Sequence, residues 1–184
     1  MQRLVLKATL GIMTVFIPGA IVWWTVADQV GTAQAQAEYR VMAEPTPMAQ
    51  VERDLECMTR NIYYEAATEP VEGKLAVGQI TMNRVADPRF PNDVCAVVYQ
   101  KTRFSERTVC QFSWYCDGSM QRRRVVEDLW LESRAAAKKV MLEGWRLPSL
   151  ERSMFYHADY VNPQWRKDRV IKIGRHIFYQ DRDV

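Results

Sequence analysis

Along residues 54–67 (DLECMTRNIYYEAA), Leu55, Met58, Ile62 and Tyr63 recur at the spacing of one apolar helix face. Asp54 stands where a cap would, and Pro70 blocks smooth continuation, so this helix is expected to end just after Glu65. A second helix is predicted from Pro70 through Val71, Leu75, Gly78, Met82 and Val85. It stops before Asp87-Pro88, because the residue before a proline disfavours helical backbone. Pro91-Asn92 opens a third, short helix through Val94, Val97 and Val98. Residues 102–119 show no helical period and read as irregular or strand-like, whereas 125–143 form an amphipathic helix closed by Gly144. The apolar runs then shorten and become aromatic, with FYHADYV and KIGRHIFYQ as candidate strands. The pattern predicts an α+β domain, mainly α, without internal repeats.

The N-terminus follows a different rule. After Arg3 and Lys7, residues 8–27 carry no charge, which matches the roughly 20 residues that cross a hydrocarbon core. The cations precede the segment and Asp28 follows it, so the N-terminus is expected to stay cytoplasmic and the downstream chain to be exported. Trp23 and Trp24 suit the outer interface. Ala35-Gln36-Ala37 offers a cleavage site, so residues 1–30 read as a signal-anchor or signal peptide. Residues 31–50, rich in Ala, Gln, Pro and Glu, read as a linker, and 51–184 as the folded domain.

Export changes the meaning of the cysteines. Cys57, Cys95, Cys110 and Cys116 form an even set in an oxidising compartment, so two disulfides are expected, with three pairings open. The alternative, a zinc site, lacks a C-x-x-C spacing, and the two histidines, His157 and His176, are distant in sequence; no metal or other cofactor is expected. A net charge of +3 is too mild to indicate nucleic acid. The run Arg122-Arg123-Arg124 reads as a solvated helix start.

Three carboxylates, Glu65, Glu69 and Glu72, cluster around Pro70. A glutamate closing an apolar helix beside Tyr63 and Tyr64 is partly desolvated, which raises its pKa and suits it to donate a proton near neutral pH. Glu65 is therefore the acid candidate. Glu69 and Glu72 also fit the first turn of the next helix, where negative side chains complement the helix dipole.

The stretch IYYEAATEPVEGKLAVGQITMNRVADPRFPNDVCAVVYQ, followed by CQFSWYCDG, YHADYVNPQW and IGRHIFY, resembles the SleB/CwlJ-type cell-wall hydrolases, named for spore cortex-lytic enzymes. The blocks occur in the family's order over residues 55–179, and the four cysteines resemble those of proteobacterial members. The resemblance implies a Gram-negative envelope enzyme with a lysozyme-like, lytic transglycosylase-like fold. Its implied substrate is the peptidoglycan glycan strand, cut by lytic transglycosylase or muramidase chemistry, with one essential glutamate in the Y-x-E-A block at Glu65.

A transglycosylase of this kind needs one carboxyl, because the muramic acid's own C6 hydroxyl attacks; a hydrolase needs a second, for which Glu69 and Asp117 are candidates. Tyr64, Gln111, Ser113, Tyr156 and His157 are the candidate substrate-binding residues. In relatives the block around Tyr156 often reads T-H-Y-H, and Phe155 here replaces the first histidine. The expected partners are peptidoglycan strands and, through residues 8–27, the inner membrane. A peptidoglycan amidase or peptidase and a non-catalytic peptidoglycan-binding protein are the competing classes.

Overall fold

The computed structural model describes residues 46–182. The expected membrane segment, the cleavage site and most of the linker lie outside them. No helix among the described residues is long and apolar enough to cross a membrane.

Helix α1 spans Pro47–Ala66, seven residues longer at its start than the apolar period predicts. Thr46 caps it, its side chain accepting from Ala49 N, and Pro47 occupies the first turn, where its missing N–H costs nothing. The last residues assigned to a linker, 47–50, are therefore helical, and Asp54 is an interior residue that accepts from Gln50 Nε2 at 3.0 Å. The far end falls where expected, one residue past Glu65.

Helix α2 (Val71–Ala86) is buried almost all round, from Gly73 to Arg84, which is why its apolar period is weak in sequence. It is the central helix. A Cβ at Gly78 would lie 3.2 Å from both Ile62 and Val140, so glycine lets α2 approach α1 and α5 (Glu127–Met141) closely. Short α3 (Val94–Val98) is capped by Asp93, and Cys57–Cys95 ties it to α1. The larger apolar core lies among these helices, closed by Phe112 and Trp114.

On its other side α2 meets an antiparallel sheet of order β3-β5-β4: β3 Ser153–Ala158, β4 Asp168–Ile173, β5 His176–Gln180. Ala76, Ile80, Leu150, Ile173 and Phe178 form the core between them. The candidate strand KIGRHIFYQ is in fact a hairpin that turns at Gly174, whose φ is 56°. The polar side chains of α2 hold the adjoining segment: Asn83 Nδ2 donates to Leu150 O and Ser153 O, and Gln79 bonds Leu147 both ways.

The stretch read as irregular or strand-like resolves into an exposed hairpin, β1 (Lys101–Phe104) with β2 (Arg107–Cys110), followed by a 3-10 turn at Ser113–Tyr115 and a one-turn helix α4 (Ser119–Arg122). Cys110–Cys116 closes this segment on itself. With Cys57–Cys95, it selects one of the three pairings open in the sequence.

Candidate active site

Glu65 ends up where three elements meet because α1 stops beside it. Its carboxyl lines a pocket of about 120 Å³ with Arg84 from α2, Tyr156 from β3, and Gln111, Phe112 and Ser113 from the segment after β2. The segment is locked to the helices by a buried relay: Trp114 Nε1 donates to Asn61 Oδ1 at 3.1 Å, and Asn61 Nδ2 donates to Thr81 Oγ1 at 3.1 Å. Asn61 lies one helical turn before Glu65, so the acid and the Gln111–Ser113 wall share one anchor.

Burial pushes the Glu65 carboxyl up to about 7, against the pull of the Tyr156 hydrogen bond and the Arg84 charge; Asp117 adds a smaller push in the same direction. The Tyr156 hydroxyl donates to Glu65 Oε2 at 3.0 Å. Burial, reinforced by Glu65, holds this phenol well above its ordinary range, so it remains a donor. With Oε2 occupied, Oε1 is left to carry the acid's proton.

Arg84 is 4% exposed. Its Nε donates to Met154 O at 2.9 Å and its guanidinium lies 5.2 Å from the Phe112 ring, while Nη1 has no hydrogen-bond partner among the described residues. Such a cation is balanced only when a neighbouring anion forms. Its guanidinium also lies 5.7 Å from the Phe90 ring, so Arg84 links the loop after α2 to β3 and the pocket.

Four expected site residues, Glu65, Gln111, Ser113 and Tyr156, come together. Four do not. Tyr64 stacks on Trp114 at 4.8 Å and packs against the core rather than lining the pocket. Glu69 turns away: its Oε2 accepts from Arg175 N at 2.8 Å, over Gly174, where a Cβ would overlap the carboxylate. His157 follows Tyr156 on a strand and so faces the opposite side of the sheet, where it stacks on Tyr179 at 5.1 Å and its Nε2 meets the Tyr179 hydroxyl at 2.9 Å. Asp117 lies outside the pocket lining, near enough for its charge to act on Glu65. Its Oδ1 accepts from Ser119 N at 2.8 Å, and its bonds to Ser119 hold it below the usual carboxylate range.

The metal alternative meets a geometric obstacle. His176 points into the core against Tyr156 while His157 points out, so the histidines do not converge. Among the described residues, the one acidic group with ligand-like spacing is Asp54, Asp93 and Cys95, and Cys95 is bound in a disulfide.

Fold and pocket together define a small α+β domain with one desolvated acid at a helix end. The Cell Wall Hydrolase family model matches residues 68–179, more than half of the chain, and the chain belongs to that family. Glu65 stands just ahead of the matched span. The chain is similar to the spore cortex-lytic enzyme of Bacillus cereus, 27% identical over 153 residues, covering 80% of this chain and 52% of that protein. It is likewise similar to the spore cortex-lytic enzyme of Bacillus subtilis, 26% identical over 130 residues and covering 68% of this chain and 37% of that protein. The chain thus spans about half or less of these relatives' length. Among solved structures, the catalytic domain of the germination-specific lytic transglycosylase SleB from Bacillus anthracis aligns with a TM-score of 0.55 at 26% identity, over 74% of this chain and all of that one. The SleB catalytic domain from Bacillus cereus aligns with a TM-score of 0.51 at 26% identity, over 70% of this chain and 91% of that one.

Proposed function

We propose that this domain cuts the MurNAc-GlcNAc linkages of peptidoglycan glycan strands as a lytic transglycosylase, with Glu65 as both acid and base. One observation carries the reading: among the described residues, Glu65 is the only carboxylate lining the pocket, and its pKa of about 7 keeps much of it protonated near neutrality. An acid at a helix end facing a polar wall supports it, as do the relatives.

In this mechanism Glu65 Oε1 gives its proton to the glycosidic oxygen as the bond to the anomeric carbon breaks. Positive charge develops on the sugar while Glu65 becomes an anion. Arg84 then acquires the counter-charge it lacks in the resting site, and Tyr156 keeps its bond to Oε2. The muramic acid's C6 hydroxyl attacks the anomeric carbon and passes its proton to Glu65, which restores the acid and closes a 1,6-anhydro ring. Neither water nor a second carboxylate takes part. Gln111 and Ser113 offer the donors and acceptors that orient sugar hydroxyls and N-acetyl groups.

Asp117 supports a second reading. Its ionised carboxylate acts on Glu65 and suits the base of a muramidase. Asp117→Asn separates the two: hydrolysis through Asp117 is lost, whereas transglycosylation persists. The primary test is digestion of purified peptidoglycan by wild type and Glu65→Gln, with strand cleavage followed by chromatography. Cleavage that survives in the variant rules the proposal out.

The same reading locates the domain in the periplasm, held at the inner membrane by residues 8–27 or released by cleavage after Ala37. The uncharged segment, the cations before it and two disulfides downstream support it.

A further inference from the structure

Outside the pocket two exposed features stand out. The run Arg122-Arg123-Arg124 is not the helix start that its sequence suggests, since Arg122 ends α4 and residues 123–126 are non-helical chain before α5. The other feature is the ribbon of β1 and β2, which grows directly out of the pocket wall. Gln111 N donates to Gln100 O at 2.9 Å, adding one rung to the ladder in which Lys101 faces Cys110. Gln111, which lines the pocket, is therefore in register with the ribbon.

Strand alternation then sorts the side chains, because directly opposed residues share a face and so do residues two apart. One face carries Lys101 with Cys110 and Arg103 with Thr108. It turns toward the domain: Cys110 is buried in its disulfide with Cys116, and Lys101 Nζ lies 4.4 Å over the Tyr115 ring. The other face starts at Gln111 in the pocket and continues through the Thr102–Val109 pair to the Phe104–Arg107 pair. At about 3.4 Å per residue these pairs stand about 7 Å and about 14 Å beyond Gln111. Val109 is 42% and Phe104 52% exposed, and neither joins an apolar core. The Arg107 guanidinium lies 5.9 Å from the Phe104 ring.

This composition fits a sugar chain. The Phe104 ring and Val109 offer flat apolar surface to the C–H face of a pyranose, while Thr102 and Arg107 offer hydrogen bonds to hydroxyl and N-acetyl oxygens. The pocket alone does not enclose such a chain: at about 120 Å³ it falls below the roughly 300–1,000 Å³ of sites that take up a whole small ligand. A strand cut at Glu65 must therefore run on over neighbouring surface, and the face that is continuous with Gln111 is this one. We propose that Thr102, Phe104, Arg107 and Val109 form an outer glycan-binding subsite that continues the pocket wall and makes the domain prefer long strands over short fragments. This rests on the strand-cleavage reading above and names strand length as what that site selects.

The test compares kcat/KM of the full chain, per cleavable bond, on long strands and on tetrasaccharides cut from the same peptidoglycan. One ring stacked on a sugar gives a preference of about tenfold for the long strands. In the double variant Phe104→Ser, Val109→Ser the ratio falls toward one, through KM on long strands rather than kcat. Phe104→Trp, which keeps the platform, and Arg103→Gln, which lies on the opposite face, both retain the ratio. A wild-type ratio near one overturns the proposal, as does a high ratio that the double variant leaves intact. A ratio that Arg103→Gln lowers as far as the double variant overturns it too, because the effect would then not belong to one face. A sedimentation coefficient that falls in the double variant, with the ratio unchanged, would make the face a contact between copies of the chain instead. If neither substrate is cut, the strand-cleavage reading fails. The ribbon is then judged by co-sedimentation of the Glu65→Gln chain with long strands, where equal binding with and without the Phe104 and Val109 substitutions overturns it.

Discussion

A single carboxyl held near neutrality has consequences that run in two directions. For activity, the free enzyme's acid must be protonated, so kcat/KM falls as pH rises through about 7. Glu65→Gln removes the proton and is expected to lower kcat by roughly 10²–10⁴-fold. For stability, the raised pKa means that below about 4.5 folded and unfolded chains both hold the proton and nothing is lost. Between 4.5 and 7 the unfolded chain ionises first, so wild type loses stability up to about 7 and no further. Glu65→Gln escapes this loss and is expected to be more stable than wild type by up to about 3 kcal/mol at pH 8, with little difference at pH 4. Urea titrations at the two pH values measure it; equal stability at both would mean that burial does not hold the acid.

Tyr156 and Arg84 act on the same group with a readable sign. Each lowers the Glu65 pKa, so Tyr156→Phe moves the alkaline limb of the kcat/KM profile upward while reducing kcat, by about tenfold if one hydrogen bond to the carboxylate is lost. A limb that stays put would show that the phenol packs without bonding the acid. Arg84→Lys tests the counter-charge: it keeps the cation but loses the bond to Met154 or the reach to the pocket, and a fall in kcat greater than in KM is expected.

Glu65 was legible in sequence because its signal is local: an apolar helix period, two tyrosines and a proline stop. Arg84 was not, because an arginine in the last turn of a helix ordinarily faces water and complements the dipole. Its burial depends on Met154, 70 residues away. His157 was misread for a related reason. It is a sequence neighbour of Tyr156, but strand alternation puts the two on opposite faces, and only the registry of β3 with β5 shows which face is the pocket.

At the scale of elements, the two disulfides do different work. Cys57–Cys95 spans 38 residues and joins α1 to α3, whereas Cys110–Cys116 spans 6 and braces the wall that carries Gln111 and Ser113. Loop entropy gives about 4 kcal/mol for the first and about 2 kcal/mol for the second. Replacing the first pair with serine is expected to lower the unfolding midpoint more, while replacing the second raises KM more. The reverse assignment of these two effects would contradict the placement of the wall. Helix ends and the aromatic strands were readable from proline, glycine and period. The early start of α1 at Thr46-Pro47 was masked by the Ala-, Gln- and Pro-rich composition around it, although Met48 and Val51 carry the apolar spacing back from Leu55, and β4 by a charged sequence that offers no alternation.

For the whole molecule, the proposed chemistry rests on the described domain and the proposed location on the N-terminal sequence. A reporter fused after residues 1–40 is expected to partition with inner membranes and face the periplasm, and to remain cytosolic when that leader is removed; a soluble cytoplasmic fusion with the leader present would contradict the topology. The domain itself is organised around α2, whose buried polar side chains reach the sheet on one side while its small residues admit α1 on the other. The pocket forms at that junction, which explains why it draws residues from positions 65 to 156.

The measurement that bears most directly on this account is mass spectrometry of the sugar ends released from purified peptidoglycan. A single acid without a second carboxylate in the pocket predicts 1,6-anhydro-muramic ends from wild type and none from Glu65→Gln. Reducing ends from wild type would contradict the one-carboxyl mechanism and assign the second role to Asp117.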